Sequence, residues 1–265
     1  MRTRLSLCLA AAAAFLVGCA GASSGGAGPP SAAGSGSGPS GEIVVFAAAS
    51  LSDAFETLGK QFETKHPGAT VTLNFGPSSG LGTQIIEGAP ADVFAPASTT
   101  TMDAVVAAEL VGTPTVFATN VMQIAVPPDN PAAISTLADL ARPGVKVALC
   151  QPEAPCGALA TKVLANAGLA VIPVTLEVDV KATLSKVQLG EVDAGLVYLT
   201  DLRAAGAKAK GIAIPAEDNA STSYPIAALT RSRNPSLARA FVDYVLSADG
   251  AAVLDRAGFQ QPATR

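Results

Sequence analysis

From residue 42 to the C-terminus the sequence switches repeatedly between two periodicities, and that alternation narrows the possible folds more than any other feature. "EIVVFA" (42–47) is a short apolar run of strand type. Behind it, Leu51, Ala54, Phe55, Leu58 and Phe62 share one face of a helix, which the stop signals Pro67 and Gly68 in "KHPG" end. "TVTLNF" (70–75), a short helix in "SGLGTQIIEG", a strand in "ADVFAPA" and a helix in "TTTMDAVVAAEL" repeat the unit. Strands joined through helices lie parallel, so the expectation is an α/β fold with mostly parallel sheets.

After a loop, "VMQIAVP" (121–127) opens a second series, with strands at 145–150, 174–179, 194–199 and 211–215 and helices between them. "SYPIAAL" (223–229) is a further strand, followed by helices from Pro235 to Gly250 and from Gly250 to Gly258. The expected arrangement is a first lobe over 42–120, completed by 224–265, and a second lobe over 121–223. A solute would sit between them at the carboxyl ends of the strands.

The N-terminus is of a different kind. Arg2 and Arg4, the apolar run from Leu5 to Val17 and the small residue before Cys19 mark residues 1–18 as a secretory signal peptide, too short for a stable membrane span. "LVGC" (16–19) resembles the bacterial lipobox, so Cys19 is the expected lipidation site, against an ordinary cleaved signal with an incidental cysteine. Residues 20–41 lack charge and large apolar side chains and read as a tether. Net charge is −4, and it becomes more negative once Arg2 and Arg4 are lost, which argues against nucleic acid as a partner. Cys8 leaves with the signal, so Cys150 and Cys156 remain, an even pair that reads as a disulfide in an exported protein.

Ser78 stands in a G-x-S-x-G frame between a strand and a helix, the setting of a serine-hydrolase nucleophile. The same setting is an anion cradle, because the first turn of a helix has unpaired N–H groups and a positive dipole end. The hydrolase reading needs a base, and the one histidine, His66, precedes Ser78 at a helix end. No metal-ligand spacing is present. Three tyrosines, Tyr198, Tyr224 and Tyr244, raise the ferric-binding possibility, although Tyr224 and Tyr244 read as strand-edge and helix-packing aromatics. Ser50 repeats the arrangement of Ser78 in the first strand-helix unit, as an anion donor or as a plain N-cap.

"VVFAAASLSDAF", "NFGPSSGLGTQI", "EGAPADVFAPAS" and "AGLVYLTDL" occur in this order and together resemble the periplasmic molybdate-binding proteins of ABC transporters. The resemblance implies the two-lobed type II periplasmic-binding-protein fold, no enzymatic activity and no cofactor. It implies molybdate or tungstate as ligand, a membrane ABC permease as partner, and a monomer lipid-anchored on the extracytoplasmic face. It carries to Ser50 and Ser78 as hydroxyl and backbone donors, to Cys156 and Val180 as backbone donors, and to Tyr198 as a hydroxyl donor. Two departures stand out: Pro77 removes one N–H before Ser78, and the loop before Cys156 is shorter than the pattern.

Molybdate carries no proton at neutral pH, so a cage made only of donors suits it. Each donor to the ion contributes roughly 1.5–3 kcal/mol. Monohydrogen phosphate brings a proton that needs an acceptor, sulfate is smaller, and tungstate is nearly the same size. Sulfate or another oxyanion on the same fold is the alternative reading, ahead of a serine hydrolase using Ser78.

Overall fold

The computed structural model describes residues 39–262; the signal peptide, Cys19 and most of the tether lie outside that range. The first half runs β1 (Gly41–Ala48), α1 (Ser52–Lys65), β2 (Ala69–Gly76), α2 (Ser78–Ile86), β3 (Val93–Ala95) and α3 (Thr99–Ala107). The long β4 (Thr115–Val126) leads to β5 (Val147–Cys150), α4 (Pro155–Asn166), β6 (Thr175–Glu177), α5 (Val180–Gln188), β7 (Ala194–Tyr198), α6 (Leu199–Ala205) and β8 (Lys210–Ala213). The chain returns through β9 (Ser221–Ala228) to α7 (Pro235–Leu246) and α8 (Ala248–Ala257).

The strands join in the order β2-β1-β3-β9-β4-β7-β5-β6, with β8 also on β4. Each end keeps a parallel trio: β1 pairs with β2 and β3, and β5 pairs with β6 and β7. The strands that link the ends run antiparallel, β9 against β3 and β4, and β4 also against β7 and β8. The mostly parallel expectation therefore describes the trios, and β4 and β9 make the sheet mixed.

Buried apolar side chains collect on either side of those two strands. One cluster runs from Met122 to Ala220 around β5 and β7; two others draw on residues 43–118 and 224–259. In α1 the predicted face is the buried one, with Phe55, Leu58 and Phe62 fully covered. Phe241 of α7 meets the Phe62 ring edge-on at 5.3 Å, tying the returning helix to the first. Each such side chain contributes roughly 1.5–3 kcal/mol by leaving water.

Two boundaries differ from the sequence expectation. β4 begins at Thr115, not near 121, because residues 115–121 form a ladder with β9. A register shift between Val116 and Ala118, with Thr119 and Asn120 following, breaks the apolar alternation that would have revealed it. The break between the last two helices falls at Ser247, not at Gly250. The Ser247 hydroxyl accepts the Gly250 N–H at 3.3 Å as the cap of α8, and Gly250 is needed because a Cβ there would collide with the Val245 carbonyl.

Candidate functional site

Five strand-to-helix junctions meet at one small cavity of about 20 Å3. Ser50 lies in the 3-10 turn Ala49–Leu51 before α1, Ser78 is the first residue of α2, and Cys156 follows Pro155 at the start of α4. Val180 opens α5, and Tyr198 ends β7 where α6 begins. All five residues singled out in the sequence line this cavity. It is far below the roughly 300–1,000 Å3 of an organic-ligand pocket, which leaves no room for a solute of that size. No lysine or arginine lines it.

The junctions place unpaired first-turn N–H groups around the space, and the helix dipoles make it attractive to negative charge. Both serine hydroxyls are held by partners, and that of Ser78 acts as acceptor and keeps its proton available. Ser78 Oγ accepts the Ala97 N–H at 3.1 Å. Ser50 Oγ lies 3.0 Å from the Tyr224 hydroxyl, which is fully buried on β9 and pushed above its ordinary pKa by that burial. With Tyr224 donating to Ser50, the Ser50 proton is free for a solute. Tyr224 is thus an interior hydroxyl behind the site rather than a strand-edge aromatic. Tyr244 does pack between helices, its hydroxyl donating to Gln61 Oε1 at 2.8 Å.

Tyr198 is the sharpest feature. It is 1% exposed, and its hydroxyl makes no hydrogen bond of ordinary length, the Tyr224 hydroxyl beside it being close enough only to bear on its pKa. Burial raises its pKa well above the ordinary tyrosine value, so it stays a neutral donor. Leaving such a group unpaired costs roughly 1–3 kcal/mol, which a bound acceptor would remove. Its backbone N–H donates to Asp201 Oδ2 at 3.2 Å, fixing the start of α6. Asp201 is itself fully buried, and burial pushes its pKa up to about 7.

Cys156 is bonded to Cys150 across a Cα separation of 5.8 Å. The bridge leaves its backbone N–H at the helix start and closes the 151–155 loop. Gly157 completes that turn, because a Cβ there would clash with the Gln151 carbonyl. Asp179 also lines the cavity, a residue the sequence reading did not include. Its Oδ1 caps α5 by accepting the Ala182 N–H at 2.9 Å, and the D-x-x-A spacing before an apolar helical run was the available signal. The hydrolase arrangement is not assembled. His66 caps the far end of α1 with its ring 4.3 Å from that of Phe62, and the hydrogen-bond partner of Ser78 Oγ is the Ala97 N–H. Among the described residues no cluster of metal-ligating side chains occurs.

Residues 43–260 match the family described as bacterial extracellular solute-binding protein. The chain belongs to this family. Its members are binding proteins and not enzymes, in keeping with a Ser78 that has no histidine beside it. The solute-binding protein is 45% identical over 221 residues to the molybdate-binding protein ModA of Mycobacterium tuberculosis, covering 83% of this chain and 85% of that one. Among solved structures it resembles the periplasmic molybdate-binding protein of Azotobacter vinelandii (TM-score 0.72, 21% identity, 83% of this chain and 99% of that one). It equally resembles the sulfate-binding protein SubI of Mycobacterium tuberculosis (TM-score 0.73, 18% identity, 84% and 87%). At those identities the two structures establish the fold of the solute-binding protein and not its solute. Among the described residues no helix is long and apolar enough to cross a membrane.

Proposed function

We propose that this protein captures molybdate, and tungstate as a near-isosteric substitute, outside the membrane and delivers it to an ABC permease. The observation that carries the reading is a small cavity ringed by helix starts and free of cationic side chains, lined by Tyr198, whose buried hydroxyl makes no hydrogen bond of ordinary length. Ser50 and Ser78 donate through hydroxyl and backbone, Cys156 and Val180 through backbone N–H, and Tyr198 through its phenol. The 45% identical relative named as molybdate-binding supports molybdate as the oxyanion.

The lobes over 42–120 with 224–265, and over 121–223, close on the ion by bending where β4 and β9 cross between the apolar clusters. Cys19 carries the lipid anchor and residues 20–41 tether a monomer to the cell membrane; the Cys150–Cys156 bridge keeps the Cys156 N–H in place. Thermal unfolding with each oxyanion added in turn tests the reading. At 100 times its dissociation constant a bound ion stabilises by about 2.7 kcal/mol, a rise of several degrees. The proposal expects that rise with molybdate and tungstate; a rise with sulfate alone would move the assignment to sulfate.

A further inference from the structure

Five ion pairs occur among the described residues, and one of them joins the two sides of the cleft. Lys181 Nζ, on α5, lies 2.8 Å from Asp53 Oδ2 on α1. The same ammonium lies 3.7 Å from Asp201 Oδ1 on α6. α5 and α6 pack on the cluster between Met122 and Ala220, while α1 packs on the cluster that includes Phe55 and Phe62. The bond to Asp53 therefore bridges the two bodies, and the contact with Asp201 stays within one of them.

Placement in sequence ties this trio to the site. Asp53 is three residues beyond Ser50, Lys181 directly follows Val180, and Asp201 is three beyond Tyr198. Each charge sits about one helical turn or less from a residue lining the cavity, and Ser50 lines both that cavity and a second pocket with Asp53. The Asp201 side chain is fully buried with Oδ1 lacking any hydrogen bond, whereas that of Asp53 is 64% exposed. Asp201 lies on the same body as Lys181 and Asp53 on the other, so movement of the bodies apart would separate Lys181 from Asp53 alone.

We propose that Lys181 is the latch of the cleft, raising affinity without touching the ion by bonding Asp53 only when the lobes are shut. This rests on the reading that an oxyanion is bound between two moving lobes. An ion pair of this exposure is worth about a twofold to fivefold change in the dissociation constant. Because it exists only in the closed form, the change falls on the dissociation rate rather than on the association rate.

The test uses the full chain with spin labels at two exposed positions, Lys60→Cys on α1 and Ser185→Cys on α5. Distances between labels and molybdate dissociation rates are read for the parent and for Asp53→Asn, Lys181→Gln, Lys181→Arg and the double variant Asp53→Asn/Lys181→Gln. The latch predicts that Asp53→Asn shifts distances toward the open form and speeds dissociation about twofold to fivefold. Lys181→Arg keeps parental behaviour, and the double variant is no faster than Lys181→Gln. Unchanged distances and rates in Asp53→Asn, or strictly additive effects in the double variant, would overturn it. Failure of the parent to bind molybdate would count against the function proposed above. The ligand-free distances would still decide the latch: longer in Asp53→Asn upholds it, equal in both rejects it.

Discussion

Tyr198 combines two effects that one substitution separates. Its hydroxyl is buried without a partner, so Tyr198→Phe removes an unmet group and raises the melting temperature of the ligand-free protein, by roughly 1 kcal/mol in stability. The same change deletes a donor to the ion and weakens molybdate binding by about tenfold or more, read by calorimetric titration. Loss of both stability and affinity would mean the hydroxyl has a structural partner instead. Ser78→Ala removes the acceptor of the Ala97 N–H as well as a donor, and is expected to lower both. Asp201 predicts a pH effect of definite sign. Its folded pKa, about 7, lies above the ordinary carboxylate value of 3.8, so the folded state holds more protons between those values and its contribution to stability falls as pH rises from about 4 to 7. Asp201→Asn therefore stabilises at pH 8, by up to about 4 kcal/mol, and makes little difference near pH 4. A melting-temperature difference that stays constant across that range would contradict burial as the cause. Ser50 and Ser78 were legible in the sequence because a serine at a strand-helix junction is a local pattern. The supporting Tyr224 was not, since its contact with Ser50 spans 174 residues and depends on where β9 lies in the sheet.

At the scale of elements, the cavity is lined by helix starts, and the proposed N–H donors require that the loops before them be fixed. The 151–155 loop is fixed by Cys150–Cys156, one end on β5 and the other in the first turn of α4. Replacing both cysteines by serine is expected to cost about 2 kcal/mol in unfolding free energy and to weaken molybdate binding several-fold through the Cys156 N–H. Denaturant melts and titration of the double variant measure the two losses, and unchanged affinity would show that the helix start is held without the bridge. Helices with one apolar face, α1 above all, were readable from spacing, as were the short strands of the parallel trios. The first half of β4 was not, because its pairing with β9 is set by tertiary contact across a register shift. Gly250 misled because a glycine usually ends a helix, whereas here it lets the start of α8 approach the Val245 carbonyl.

For the whole molecule, a negative net charge of −4 gives an anion no long-range attraction, so on the proposed function affinity comes from desolvated, oriented donors between the lobes. Raising salt is then expected to change molybdate affinity little, in contrast to a site built on lysine and arginine; a steep loss between low and moderate ionic strength would point to cationic capture. The two-lobed plan could be read from the two strand-helix series and the returning C-terminal helices, while the choice among oxyanions rests on cavity size, which no motif states. The most direct test is calorimetric titration of the protein with sodium molybdate, followed by displacement with sodium sulfate. A molybdate-binding protein of this design gives one saturable site per chain for molybdate and displacement by sulfate only at a concentration roughly 100-fold higher or more. Equal competition by sulfate, or no molybdate binding at all, would contradict the proposed function.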